Sequence, residues 1–353
     1  MTLNMAATIE VKPEKPWASS PKQRLTSAFV LVTALLATYL LVAVTPLKGK
    51  LAYFGLFFLV FIFLDFLYHF RLFGFPSGKD AIARGLVALG VTLATLPVLS
   101  ILLTVFSRGR RGLHWGLFTH DMKLNSVNDP ISQGGLLHAL TGTFTLVLIA
   151  LIISLPIGIL TALYLTEIRG RFVGPIKFLV QAMSGVPSIV AGLFILAAIV
   201  YPITKSYSGF MGSLALTILM IPTIARTAEE VLLLIPNELR EAGVALGGTQ
   251  WRTVAMVVVP AARSGLVTAV ILGIARVAGE TAPIILLTGG GDTVNASPFN
   301  GPMGSLPFYI WKSFSVGTEE SVTRAWAGIF VLLVIVMVLF VSARFLSERR
   351  NRN

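Results

Sequence analysis

The stretch Pro236–Pro260, PNELREAGVALGGTQWRTVAMVVVP, is a polar island between two long apolar runs. Asn237 is placed to cap a helix, and Glu238 and Glu241 then fall in its first turn, where the helix dipole favours carboxylates. Leu239, Ala242, Gly243 and Leu246 recur at helical spacing and make one apolar face. Gly247-Gly248 ends this helix, because glycine accepts the left-handed conformation of a C-terminal cap. Thr249 is placed to cap a second short helix that carries Trp251. The spacing therefore predicts a pair of short amphipathic helices lying on a membrane face. Gly and Ala on the apolar side are poor lipid anchors and suit close docking to another protein.

Outward from this island the chain is dominated by runs long enough to cross a bilayer, which takes about 20 mostly apolar residues. Eight such runs occur, at approximately 27–46, 51–70, 81–106, 136–165, 175–203, 209–233, 262–288 and 325–346. Of the 353 residues, 55% are hydrophobic and only 12% charged. Soluble domains carry roughly a quarter charged residues, so an ordinary soluble enzyme is excluded. The expected fold class is all-α: a polytopic membrane protein of about eight transmembrane helices. Residues 1–26 are polar and contain Pro13, Pro16 and Pro21, which predicts a flexible cytoplasmic tail. No small-residue cleavage site follows the first apolar run, which argues against a signal peptide. Residues 27–70 read as a hairpin turning at Lys48 and Gly49, and residues 71–353 as the main domain, with 234–261 as its cytoplasmic segment. Residues 107–135, with Trp115 and Phe118 near the bilayer edge, and the Gly- and Pro-rich 289–324 read as outer loops.

The formal charge is +12, an excess that would suggest nucleic acid in a soluble protein. Sorted by span with the N-terminus inside, 18 basic residues fall on the inner side and 9 on the outer, and Arg276 is left within a span. That asymmetry predicts both termini in the cytoplasm and no nucleic-acid partner. The cluster Arg108–Arg111 is the main exception and reads as a solvated helix end. There is no Cys, and His114, His120 and His138 show no metal-ligand spacing, so no metal and no cofactor is expected.

The island resembles the EAA loop of ABC-importer permeases. Glu241-Ala242-Gly243, three residues, Gly247, nine residues, then Val257-Val258-Val259-Pro260 keeps the family spacing, with Gly243 in place of the third residue and Val257 and Val259 in place of Ile and Leu. Gly185-Val186-Pro187-Ser188-Ile189-Val190-Ala191-Gly192-Leu193-Phe194 is similar to the span motif of phosphate-importer permeases, and Arg276-Val277-Ala278-Gly279-Glu280-Thr281-Ala282-Pro283 to their later intramembrane motif. Asn300–Trp311 resembles the PstA-type member of that family more than its PstC-type partner. The resemblance covers roughly residues 80–350, and the 27–70 hairpin departs from its usual plan.

The resemblance implies a type I ABC-importer permease core in a bacterial inner membrane. It implies a phosphate pore shared with a second, PstC-like permease, two PstB-like ATPase subunits, and a PstS-like binding protein outside. The chain contains no Gly-x-x-x-x-Gly-Lys-Ser/Thr loop, so ATP hydrolysis falls to the partner and the chain itself is not expected to be an enzyme. Glu241, Ala242, Gly243, Gly247 and Pro260 are the implied ATPase-coupling residues. Pro302, Met303, Leu306 and Pro307 are the implied binding-protein contacts.

Charged residues at membrane depth cost several kcal/mol unless paired or hydrated, and they face a bundle interior or a cavity. Arg276 and Glu280 are four apart and are expected on one helix face. Arg276 offers a planar fork of donors suited to a phosphate oxygen, and Glu280 would hold and partly neutralise it. A structural pair fixing helix packing is the competing reading. Arg226, beside Glu229 and Glu230, either gates the inner mouth or snorkels to the headgroups. Pro187 and Ser188 complete the expected transport path, and Pro156, Pro187, Pro222 and Pro283 are hinge or kink positions. Asp65 and His69 read as an interfacial hydrogen-bonded pair rather than a proton relay. Alternatives within the class are a permease for another oxyanion or a PstC-like subunit. Outside the class, a proton-coupled secondary transporter using Glu280 leaves the 236–260 helix pair unexplained.

Overall fold

The computed structural model describes residues 21–47 and 49–349. The described chain is helical, and it divides into two compact units at Ile101 and Leu102. The first unit holds α1 (Pro21–Val44), α2 (Lys50–Phe73) and most of α3 (Phe75–Gly109). Residues 21–26, expected in the tail, are the first turns of α1; the rest of the expected tail lies outside the described residues. Gly74, at φ 85°, turns α2 directly into α3, and its N–H closes α2 on the Phe70 carbonyl at 3.0 Å.

The second unit begins with the end of α3 and the short α4 (Gly116–Thr119). It continues with α5 (Leu137–Leu163), α6 (Val173–Ser184), α7 (Ser188–Ile195) and α8 (Gly209–Leu233). Next come α9 (Asn237–Ala245), α10 (Gln250–Thr253), α11 (Val259–Ala278) and α12 (Ala282–Leu287), and finally α13 (Leu306–Val316) and α14 (Glu319–Arg349). Wider π turns extend α5 through Tyr164–Ile168 and α7 through Leu196–Thr204, and join α10 to α11 through Val254–Val258.

α8 is the axis of this unit. Small residues such as Gly212, Ser213, Ala215 and Thr217 let its neighbours approach closely, as membrane helix packing requires. Leu216, Leu219, Met220 and Ile224 of α8 form a core with Leu146 of α5, Ala191 of α7, Val277 of α11 and Ile284 of α12. Large apolar side chains such as Phe144, Ile152 and Leu160 point outward, the inverse of a soluble protein and the expected dress of a lipid-facing helix.

Among the described residues seven helices are long and apolar enough to cross a membrane, and an eighth candidate is the pair α6 and α7, bent by 104°. Pro187, extended at φ −58° and ψ 139°, starts α7 and makes the bend. Lys177 of α6 pairs with Glu229 near the far end of α8 at 3.2 Å, while Ser208 caps the near end of α8. Residues 177–208 therefore travel the length of α8, about 30 Å at 1.5 Å per residue, which is one crossing.

Three expectations change. The run 262–288 is two helices, because Gly279 stops α11 and Pro283 sits in the first turn of α12. The second short helix of the 236–260 island is not a separate surface helix: α10, the π turn and α11 form one span, Gln250–Ala278, with Pro260 in the first turn of α11. The 289–324 segment contains α13 and the start of α14 rather than a plain loop.

Candidate functional site: the α9 surface helix and the charged path

α9 projects from one end of the second unit, and none of its residues is buried. Its start is set by Pro236 rather than by an Asn237 cap; Asn237 is the first helical residue and accepts from Arg240 Nη1 at 3.3 Å. Its end follows the expected glycine stop. Gly247 is left-handed at φ 83°, its N–H donates to the Val244 carbonyl at 2.9 Å, and the Gly248 N–H reaches the Gly243 carbonyl at 3.2 Å. This is the paired closure of a Schellman turn. Thr249 then caps α10 by accepting from the Arg252 N–H at 3.4 Å. A methyl group on Gly243 would lie 2.5 Å from Thr253 Cγ2, so glycine at this position lets α9 lie against α10.

Arg240 anchors α9. Its Nε and Nη2 donate to the two oxygens of Glu167 at 3.0 and 2.8 Å, a bidentate fork. Nη2 also donates to the Leu232 carbonyl at 2.9 Å and Nη1 to the Ile235 carbonyl at 2.6 Å, satisfying the open end of α8. Gln250 Nε2 donates to the Glu167 backbone carbonyl at 2.6 Å. The hydrogen bonds that Arg240 donates to Glu167 hold its guanidinium above its already high ordinary pKa. The surface helix is thus tied to the ends of α5 and α8 and is continuous in chain with α10 and α11. A pocket of about 670 Å³ opens beside this tie, lined by Glu167, Arg169, Arg240, Glu241 and Val244 among others.

Leu239, Glu241 and Ala242 of α9 and Leu246 at its C-terminal cap are all exposed, Leu246 at 91%. Gly247 faces open space, and Pro260 is exposed farther along. Four of the five expected coupling residues are exposed and the fifth, Gly243, is half-buried; Pro260 stands apart on the span.

The intramembrane pair is arranged differently from expectation. α11 ends at Ala278, so Arg276 lies in its last turn and Glu280 lies beyond its cap. The two share no helix face, and no ion pair joins them among the described residues. Arg276 is exposed on the surface of the chain and Glu280 is half-buried. Arg226 is likewise exposed on α8, whereas Glu229, three residues on, is taken by Lys177 at 3.2 Å. Pro187 is exposed at the α6–α7 bend and Ser188 is half-buried.

The 289–324 segment corrects one group of residues. Pro302 is exposed, but Met303, Leu306 and Pro307 are buried. Met303 belongs to the core around α8, and Leu306 packs with Leu117, Leu136 and Tyr309. The chain bends inward here, with the Met303 N–H donating to the Thr288 carbonyl at 2.9 Å, so these three buried side chains hold the segment down and present nothing to a docking protein.

Sequence reasoning missed three residues. Arg240 and Glu167 are far apart in the chain and carry no local signal of their meeting. Arg324, counted as an outer-loop charge, is fully buried in the first turns of α14. Its Nη2 donates to the carbonyls of Asp129, Pro130 and Gln133 at 3.1, 2.8 and 2.7 Å. Among the described residues no group of three or more His, Asp or Glu side chains is placed to hold a metal ion.

The family described as binding-protein-dependent transport system inner membrane component matches residues 154–352. The chain is 36% identical over 279 residues to phosphate transport system permease protein PstA 1 of Mycobacterium tuberculosis, covering 78% of this chain and 90% of that protein. It is 37% identical over 255 residues to phosphate transport system permease protein PstA of Pasteurella multocida, covering 71% and 88%. Among solved structures, a chain of the MetNI methionine ABC transporter in inward-facing conformations is similar at 21% identity with a TM-score of 0.49, over 60% of this chain and 92% of that one.

Proposed function

Because the chain belongs to the family of binding-protein-dependent transport system inner membrane components, we propose that it is the PstA-type permease subunit of an ATP-driven phosphate importer. The identity to PstA proteins over nine-tenths of their length is the observation that carries the substrate. The chain is a multi-pass membrane protein and a transporter subunit, and hydrolysis of ATP belongs to a partner. The complex contains a second, PstC-like permease, two PstB-like ATPase subunits and a PstS-like binding protein, and sits in the bacterial inner membrane. Eight crossings together with the basic-residue asymmetry support both termini in the cytoplasm.

α9 is the coupling element. Its apolar and acidic outer side, with Glu241 and Leu246, meets the ATPase, and Gly247 sets where the helix stops. Arg240 passes the ATPase's motion to α5 and α8 because it is bonded to the ends of both, and α10 passes it along the α11 span. A rigid displacement of α9 then tilts three spans together, which is a means of alternating access.

Arg276 faces the pore. A charged side chain exposed on a membrane span has no low-energy position against lipid, so this surface meets the second permease and the water-filled path between the two chains. Arg226 on α8 and the Pro187–Ser188 bend lie along the same path. Glu280 stands near Arg276 in the chain without engaging it, which leaves the guanidinium donors for a phosphate oxygen.

The test is phosphate uptake by the complex reconstituted in lipid vesicles, with and without the ATPase subunits and the binding protein. Uptake that needs both is the expected result. Uptake that survives removal of the ATPase and follows a proton gradient would overturn the proposal in favour of a proton-coupled carrier working through Glu280.

A further inference from the structure

The first unit contains a polar cluster that neither the coupling helix nor the charged path uses. Asp65, buried on α2, meets His69 one turn later, with His69 Nδ1 3.2 Å from Asp65 Oδ1 and 2.9 Å from the Asp65 carbonyl. Arg84 Nη2 on α3 lies 3.0 Å from His69 Nε2 and 3.5 Å from Asp65 Oδ2. Both contacts of Nδ1 are acceptors, so Nδ1 carries the proton and Nε2 accepts from Arg84. The network fixes the Arg84 side chain while spending only one of its nitrogens, and most of its five N–H donors stay available. Arg84 is 56% exposed and opens into a pocket of about 400 Å³ that also takes in the hydroxyls of Ser27, Tyr68 and Ser77.

A second cavity of about 450 Å³ adjoins it. Phe29 and Thr33 of α1 and Leu64, Leu67, Arg71 and Leu72 of α2 line it. Val30 and Tyr68 line both cavities, so the polar pocket and the apolar groove adjoin at these two residues. One end offers guanidinium and hydroxyl donors, and the other offers aliphatic and aromatic wall. The groove runs along two helices apolar enough to cross a membrane, at the level where α2 turns into α3.

We propose that this hairpin binds one anionic phospholipid specifically, with the phosphodiester on Arg84 and the surrounding hydroxyls and one acyl chain in the groove between α1 and α2. The chemistry of the two adjoining cavities is that of an amphiphile with a negatively charged head. A small polar solute has no use for the groove, and a hydrocarbon has no use for Arg84. Asp65 does not repel the phosphate outright, because it lies behind Arg84 and His69 and is paired with both. This proposal rests on residues upstream of those used for coupling and transport, and it stands or falls apart from them.

The experiment is native mass spectrometry of the full-length chain in its purified complex, titrated with phosphatidylglycerol, phosphatidylcholine or inorganic phosphate. Phosphatidylglycerol should be retained as one tightly bound lipid more than phosphatidylcholine is. Arg84→Gln should weaken that retention at least about tenfold, the scale of one lost charge-assisted contact, and Arg84→Lys should restore part of it. Thr33→Trp, which fills the groove and leaves the Asp65–His69–Arg84 network intact, should weaken it similarly, and it serves as the test if Arg84→Gln fails to insert. Equal retention of the two lipids, or undiminished retention in Thr33→Trp, would overturn the proposal. Displacement of phosphatidylglycerol by inorganic phosphate would overturn it too, in favour of a free-anion site.

Discussion

Arg240 and Glu167 are separated by 73 positions in the chain and meet in a bidentate ion pair whose carboxylate is only 5% exposed. Arg240 sits in the middle of the surface helix, and Glu167 on the wide turn that ends α5. The pair makes a helix with no buried residue of its own into a fixed part of the membrane bundle.

Arg240→Met is expected to leave insertion intact and to uncouple the complex. Uptake should fall at least about tenfold while the ATPase still hydrolyses ATP without responding to the loaded binding protein. A double-mutant cycle with Glu167→Gln should return a coupling energy of about 1.5–3 kcal/mol, the range for hydrogen bonds to charged groups. Normal coupled uptake by Arg240→Met would show that α9 is held by something else.

The tie should not respond to pH in any working range. Donating to the Glu167 carboxylate raises the Arg240 pKa above its already high ordinary value, so its contribution is fully present below that ordinary value and lost only as pH rises through the folded one. Coupling efficiency, the ratio of phosphate moved to ATP hydrolysed, should stay flat over about pH 6–9, where Arg remains charged. A steep change in that ratio across this window would place the control of α9 on a different group.

Glu241→Lys should abolish co-purification of the ATPase without disturbing α9, because Glu241 is exposed and no structural partner depends on it. Gly247 requires a different reading, since its φ of 83° means a β-branched residue there strains the helix stop itself. Gly247→Asn, which tolerates this conformation, should keep the ATPase bound, whereas Gly247→Val should cost about 1–2 kcal/mol locally and loosen it. Loss of the ATPase in the Asn variant as well would mean that the partner needs the bare backbone.

Arg276→Gln should impair transport far more than assembly. Its side chain is exposed on the isolated chain and bonds to nothing whose loss would unfold α11. Uptake at limiting phosphate by the intact purified complex is the measurement, and full uptake would remove Arg276 from the path.

Arg324→Met should loosen the Asp129–Gln133 loop from α14. Three backbone carbonyls lose their donor at once, and each buried unsatisfied group costs about 1–3 kcal/mol. Thermal inactivation of the complex should shift to lower temperature, with proteolysis first appearing at Asp129–Gln133. An unchanged melting profile would mean that water replaces the guanidinium.

The membrane spans were legible because the bilayer imposes one requirement, a long apolar run, and the chain states it repeatedly. The α9 helix was legible from its stop at Gly247 and from the Thr249 cap, since both act over three or four residues. Elsewhere the apolar criterion misled: it ran 262–288 together although Gly279 and Pro283 marked a break, because both neighbouring pieces are equally apolar. Arg240–Glu167 was invisible because the pairing depends on how α5 and α8 end side by side. Arg324 and Met303 were misplaced for a related reason. A charge or a Gly/Pro-rich stretch reads as solvent-exposed, and only the tertiary fold shows that carbonyls from another loop, or a core around α8, receive it.

The inward bend of the 289–324 segment divides it into two stretches of opposite tolerance. Thr293, Val294, Ala296, Phe299 and Asn300 are exposed, and Gly301 turns there at φ 75°. An epitope or a fluorophore introduced at Ala296 or Asn300 should be accepted and remain accessible to solvent. Immediately afterwards Gly304 lies against Gly142 of α5 so closely that a methyl on Gly142 would collide with the Gly304 carbonyl. Insertions at 303–307 would pry this seam open, so tagging and antibody work on this segment have a permissive window that closes at Pro302.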